Sequence, residues 1–179
     1  MILVLISLVI LLIAGVSLMR SSDTSLTISG NLAFKRDATN QSERAISLAK
    51  NKFNAGGILY DNSGEQDSLG DNYSATILAS NSMGIPNVLL NSSLFTTFTA
   101  PDISDSANNI VVRYVIDRMC VAAGPATDTN CSLWTGTVNG GSVPRKKVEP
   151  SIPIYRISVL TTGPRNTQAF VQATFKRDK

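Results

Sequence analysis

The chain has 179 residues, a net charge of +3, 43% hydrophobic and 6% aromatic residues, and no histidine. The missing histidine removes the commonest general base and metal ligand, so Ser-His-Asp and Cys-His catalysis are excluded. The basic excess is mild and spread out apart from Arg145, Lys146 and Lys147, which does not indicate a nucleic-acid footprint.

The chain opens on MILVLISLVILLIAGVSLM, residues Met1 to Met19, with no charge and no proline. At helical rise this run spans about 28 Å, close to the hydrocarbon thickness of a bilayer. Three readings compete for it. A signal peptide needs a basic region before the core and a small-x-small site after it, and VSLMRSSD is a poor cleavage site. A membrane anchor, with Arg20 at one interface, fits better. The third reading is a helix that sits first in a membrane and later in the core of a protein filament.

Beyond Arg20 the helical pattern continues through Leu26, Ile28, Leu32, Phe34, Ala38, Ala45, Ile46, Leu48, Ala49 and Phe53. Spacings near three and four predict one amphipathic helix from about Met1 to about Asn54, with Gly56-Gly57 as its stop. Gly15 and the Ser/Thr/Gly-rich stretch Ser21 to Gly30 are its weak points. Residues 1–54 are therefore read as the helix (1–19 apolar, 20–54 amphipathic) and 55–179 as a globular α+β domain. In that domain Ser93 to Ala100 reads as strand-forming, and Thr76–Leu78 and Val88–Leu90 as short apolar pieces. IVVRYVIDRM, from Ile110, alternates Val112, Tyr114 and Ile116 against Arg113 and Asp117, a strand with one wet face. Ile154 to Thr162 and Thr167 to Lys176 read as two further strands joined by the turn Gly163–Asn166.

Cys120 and Cys131 flank a turn-rich loop beside a strand and read as a disulfide, which implies an oxidising compartment; free thiols in a cytosolic protein are the competing reading. Asp61, Glu65, Asp67 and Asp71 share one glycine-containing loop, but their spacing is not that of a calcium loop, and a solvated loop reads better. Trp134 reads as a packing residue, and Lys146 and Lys147 as a solvated loop. No cofactor is expected.

An apolar half-helix, an amphipathic half and an antiparallel sheet with a disulfide loop together resemble a type IV pilin. GVSLMRSSD, GNLAFKRDA, SERAISLA, VRYVIDRMC and PIYRISVLTTGPRNTQAFVQATFKR resemble PilX-type minor pilins, or pilus assembly proteins. The resemblance implies the pilin fold, a long N-terminal α-helix packed on a C-terminal antiparallel β-sheet, and a structural protein rather than an enzyme. It implies that a basic leader has been removed and that Met1 is a processed, N-methylated terminus. Ile2, Leu3, Val4, Ile6, Leu8, Val9 and Leu12 would lie in the membrane and then in the filament core. Arg20, Asp23, Lys35, Arg36, Asp37, Glu43 and Arg44 would contact other subunits through complementary charge. Most pilins carry glutamate at the fifth position, where this chain has Leu5. A subunit without that acid cannot neutralise a neighbour's terminal amine in an apolar core, which implies a place at or near the filament tip, in a minor-pilin priming complex; a leucine merely tolerated in a rare subunit is the competing reading. The implied partners are the major pilin, other minor pilins and a PilY-type tip adhesin, in pili that serve cell adhesion and twitching motility. The implied location is the inner membrane with a periplasmic domain, then the extracellular fimbrium. A type II secretion minor pseudopilin and a membrane-anchored periplasmic binding domain are the alternatives.

Overall fold

In the computed structural model, which describes residues 1–57, 59–60, 64–134 and 152–177, the elements in chain order begin with α1 (Ile2–Asn51), β1 (Tyr73–Ser74), α2 (Asn87–Leu90) and α3 (Ser92–Phe95). They continue with β2 (Ile103–Asp105), β3 (Ile110–Arg118), β4 (Leu133–Trp134), β5 (Ile152–Thr162) and β6 (Gln168–Lys176). Two units result, residues 1–37 and residues 38–179.

Residues 1–37 are a helix with exposed or half-exposed side chains throughout. Ser21 to Gly30, the stretch with the poorest helix propensity, is helical. Its hydroxyls cooperate with the helix: Thr24 Oγ1 donates to Arg20 O at 2.9 Å and Thr27 Oγ1 to Asp23 O at 3.0 Å. Leu26, Ile28 and Leu32, expected on a packed stripe, are exposed.

In the second unit β3 and β5 form the centre of a six-stranded, mostly antiparallel sheet. β6 continues it beside β5 from Thr162↔Gln168 to Ile154↔Lys176, and β4 pairs with the start of β5. β2 runs antiparallel, and β1 parallel, along β3. The sheet is covered on both faces. On one face lies the last part of α1, through Ala38, Ser42, Ala45 and Ala49, a one-sided helical spacing of small, fully buried residues. Small side chains let the helix approach the strands closely, so Ser42 Oγ meets Thr161 Oγ1 at 2.8 Å while donating to Ala38 O. Phe53 extends this contact, its ring centroid 5.0 Å from Tyr155 and 5.2 Å from Phe175, over a core with Tyr73, Ile116 and Ile157. On the other face α2 and α3 bring Leu89, Phe95 and Phe98 onto Val115 and Leu160.

Other expectations change in the second unit. The helix ends at Asn51, three residues before the expected Asn54, because Lys52, Phe53 and Asn54 donate to carbonyls three residues back and tighten the last turn. Gly57 then lets the chain fold back: a Cβ there would lie 2.4 Å from Lys52 O. Residues Ser93 to Ala100 are not a strand. Asn91 caps α3 by accepting from Ser93 N–H at 3.0 Å, and this local cap outweighs the strand propensity of the β-branched and aromatic residues. Leu48, expected on the buried stripe, is exposed. β3 has no wet face at its end, since Val115, Asp117 and Arg118 are buried beside Tyr114 and Ile116. The polar loop from Thr135 to Pro150, with Arg145, Lys146 and Lys147, and Asp61 lie outside the described residues.

Candidate assembly surface and the stapled sheet

The apolar run is the largest surface feature of residues 1–37. Its best 18-residue window has a mean hydropathy of 3.1, and none of it is buried within the protein. Ile2, Leu3, Val4, Ile6, Leu8, Val9 and Leu12 all project from the helix, as do Met1 and Leu5, the latter 64% exposed. The one polar group near its start is satisfied internally, with Ser7 Oγ donating to Val4 O at 2.9 Å. A helix whose backbone bonds are internal and whose side chains are apolar is suited to hydrocarbon, and this segment is long enough to anchor the chain in a membrane. Arg20, Asp23, Lys35 and Arg36 follow on exposed positions and Asp37 on a half-buried one.

Glu43 and Arg44 lie in the second unit and are also exposed. The Asp105 carboxyl is held below its ordinary value, first by the hydrogen bond from the Asn108 side chain and then by the Asn108 and Ala107 N–H groups, with Arg44 adding a smaller pull.

The disulfide is present: Cys120 and Cys131 are bonded, and both are buried. It shares its site with Arg118, which the sequence pattern does not single out. Arg118 is buried, donating through Nη1 to Gly64 O at 2.8 Å and through Nη2 to Gly124 O at 2.9 Å, with Cys131 Sγ 3.5 Å away. Tyr73 Oη donates to the same Gly64 carbonyl at 2.7 Å. One guanidinium thus ties the loop before β1 to the cysteine loop. Burial pushes the phenols of Tyr73 and Tyr155 up from the ordinary value, and both remain neutral across the physiological range.

A second staple holds the opposite face. Asp117 and Arg156 are cross-strand partners, and the guanidinium grips the carboxylate with both Nε and Nη2, at 3.0 Å and 2.5 Å. Asp117 also accepts from Leu78 N–H at 3.0 Å, which fastens the segment leading to α2 over the sheet. The pair is nearly dry, with no exposure at the Asp117 side chain and 11% at Arg156. On the same face Arg113 forks onto Asp102 at 2.9 and 2.7 Å and stacks over Phe95, 4.2 Å from its ring centroid.

These polar groups are structural in placement. Asp67 accepts from Ala75 N–H at 2.7 Å, and Asp71 pairs with Lys52 at 3.0 Å, so the acidic loop turns these carboxylates onto its own surroundings. Among the described residues no group of three or more acidic, cysteine or histidine side chains could hold a metal ion. Trp134, expected as a packing residue, lies under Lys176, whose ammonium is 4.0 Å from the ring centroid, and is itself exposed. The surface with most to engage is therefore the helix, and the sheet domain is a stapled body behind it in the chain. Compared with known proteins, the chain matches no family model, no curated protein and no solved structure.

Proposed function

We propose that the chain is a minor pilin of the PilX type, acting in type IV pilus assembly as a structural subunit. The supporting observation is the fully exposed apolar run at the start of α1, on a helix that continues to Asn51, where it packs on a disulfide-bonded, mostly antiparallel sheet. Lipid would cover the run before assembly and apolar segments of other subunits after it, and hydrophobic burial, being non-directional, serves both states. Specificity would come from exposed charges, Arg20, Asp23, Lys35, Arg36 and Glu43, meeting the major pilin, other minor pilins and a PilY-type adhesin. The domain of residues 38–179 would face the periplasm and later the pilus tip. Leu5 supports the tip: at 64% exposure it leaves an apolar side chain where a neighbour's amine would need a carboxylate.

The test is mass spectrometry of the N-terminal peptide from sheared pili and from inner membranes. An N-methylated Met1 in the pilus fraction, scarce relative to the major subunit, is the expected result. A basic leader retained and found only in membranes would leave a membrane-anchored binding domain. Replacing Leu5→Glu separates tip from shaft: tip location should be lost or spread along the filament, and unchanged location would remove the argument from Leu5.

A further inference from the structure

We propose that the outer edge of β6 is a docking edge for a second copy of this chain, joined antiparallel across a two-fold axis at Gln172. β6 borders β5 on one side, and from Gln168 to Thr174 no backbone group of the described residues bonds its other side. Gly163 N–H donates to Thr167 O at 2.8 Å, and the antiparallel alternation follows from there. Ala169, Val171, Ala173 and Phe175 turn their backbone groups toward β5. Gln168, Phe170, Gln172, Thr174 and Lys176 turn theirs outward.

Edge strands are ordinarily blunted by proline, a bulge, brevity or charge. β6 has nine residues in unbroken register, no proline, and a single charge, Lys176, at its end. Its apolar residues Ala169, Phe170, Val171, Ala173 and Phe175 are all half-buried, whereas β5 beside it is buried along seven consecutive positions. The covering layers therefore reach β6 only in part: Phe175 packs against Phe53 on one face and Phe170 against the Leu89 and Phe95 cluster on the other, and both stay half-exposed.

The strand is complementary to itself. Antiparallel pairing about Gln172 sets Gln172 opposite Gln172, Phe170 opposite Thr174 and Gln168 opposite Lys176. On the other face Ala169 meets Phe175 and Val171 meets Ala173, so each large side chain finds a small one. The two Lys176 ammonium groups fall at opposite ends of the ladder, clear of the like-charge contact that would oppose pairing. The bonding edge groups of Gln172 and its two-fold mate then face each other, as an isologous contact requires.

The experiment uses two differently tagged full-length chains co-expressed and captured in detergent micelles. Gln172 is exposed, and its side chain reaches Gly84 O and Ser158 Oγ without entering the core. With Gln172→Lys in both copies, like charges oppose at the axis and co-capture should fall severalfold. With Gln172→Lys in one copy and Gln172→Glu in the other, co-capture should return to the wild-type level or above. Co-capture indifferent to both changes would mean that the edge is not the contact and that any association runs through the apolar helix, which overturns the proposal. A mixed pair as weak as the double-lysine pair would also overturn it, since the loss would then come from the fold of each copy.

Discussion

The two ends of α1 use opposite chemistry. The first 19 residues are the most apolar of the chain and bury nothing within it, while the buried stripe near the other end is made of Ala38, Ser42, Ala45 and Ala49. Hydropathy therefore reports the medium a helix is made for, and residue size reports how closely it packs on its own domain. A long leucine side chain suits lipid or a neighbouring subunit. An alanine suits a sheet that must come close.

That contrast can be broken from the sheet side, and the largest effect should come from the buried ion pair. Asp117→Ala leaves the Arg156 guanidinium buried without its carboxylate, and denaturant unfolding of the full chain in detergent should show a loss of about 3–5 kcal/mol. The membrane-bound fraction should not change, because the apolar run is untouched. Replacing both Cys120→Ser and Cys131→Ser should remove about 3 kcal/mol by the same measurement. A paired experiment on α1 sharpens the comparison directly. Ala45→Leu overfills a fully buried contact and should cost about 1–3 kcal/mol, whereas Leu12→Ala should leave domain unfolding unchanged and weaken membrane retention instead. Ser42→Ala, which deprives Thr161 of its hydroxyl partner, should cost about 1 kcal/mol.

The smallest effect at neutral pH is that of the buried phenols, which appears only in alkali. The Tyr73 and Tyr155 values are raised on folding, so their contribution is complete below the ordinary value of 10.0 and is lost as pH rises through the folded values. Stability followed from pH 9 upward should begin to fall near pH 10.

The sequence reads well where one physical signal dominates. The apolar run, the helix through Ala49 and the strands around Val112, Val159 and Val171 follow from length and periodicity, and the cysteine pair from its loop. It reads poorly where two layers meet. Arg113 and Asp117 alternate with Val112 and Tyr114 as a wet face would, and nothing in that period reveals that α3 and the chain near Leu78 cover it. Arg118 and Arg156 were legible only as charges, because their partners are backbone carbonyls and a cross-strand aspartate distant in sequence. The Ser92–Phe95 turn of helix shows the same limit at short range, where one asparagine cap decides against several strand-favouring neighbours. Arg20, Asp23, Lys35, Arg36, Glu43 and Arg44 are exposed and Asp37 is half-buried, and any subunit contacts they make belong to the assembly proposed above.

The cysteine loop has a consequence for the handling of the protein by proteases. Val121 is 75% exposed, and Ala122 and Ala123 beside it are exposed too, so this is an accessible place to cut. Yet the bond from Cys120 to Cys131 spans the loop, and Arg118 holds Gly124 from within. A nick between them leaves one covalent molecule with its sheet intact, and two fragments appear only when a reductant is added.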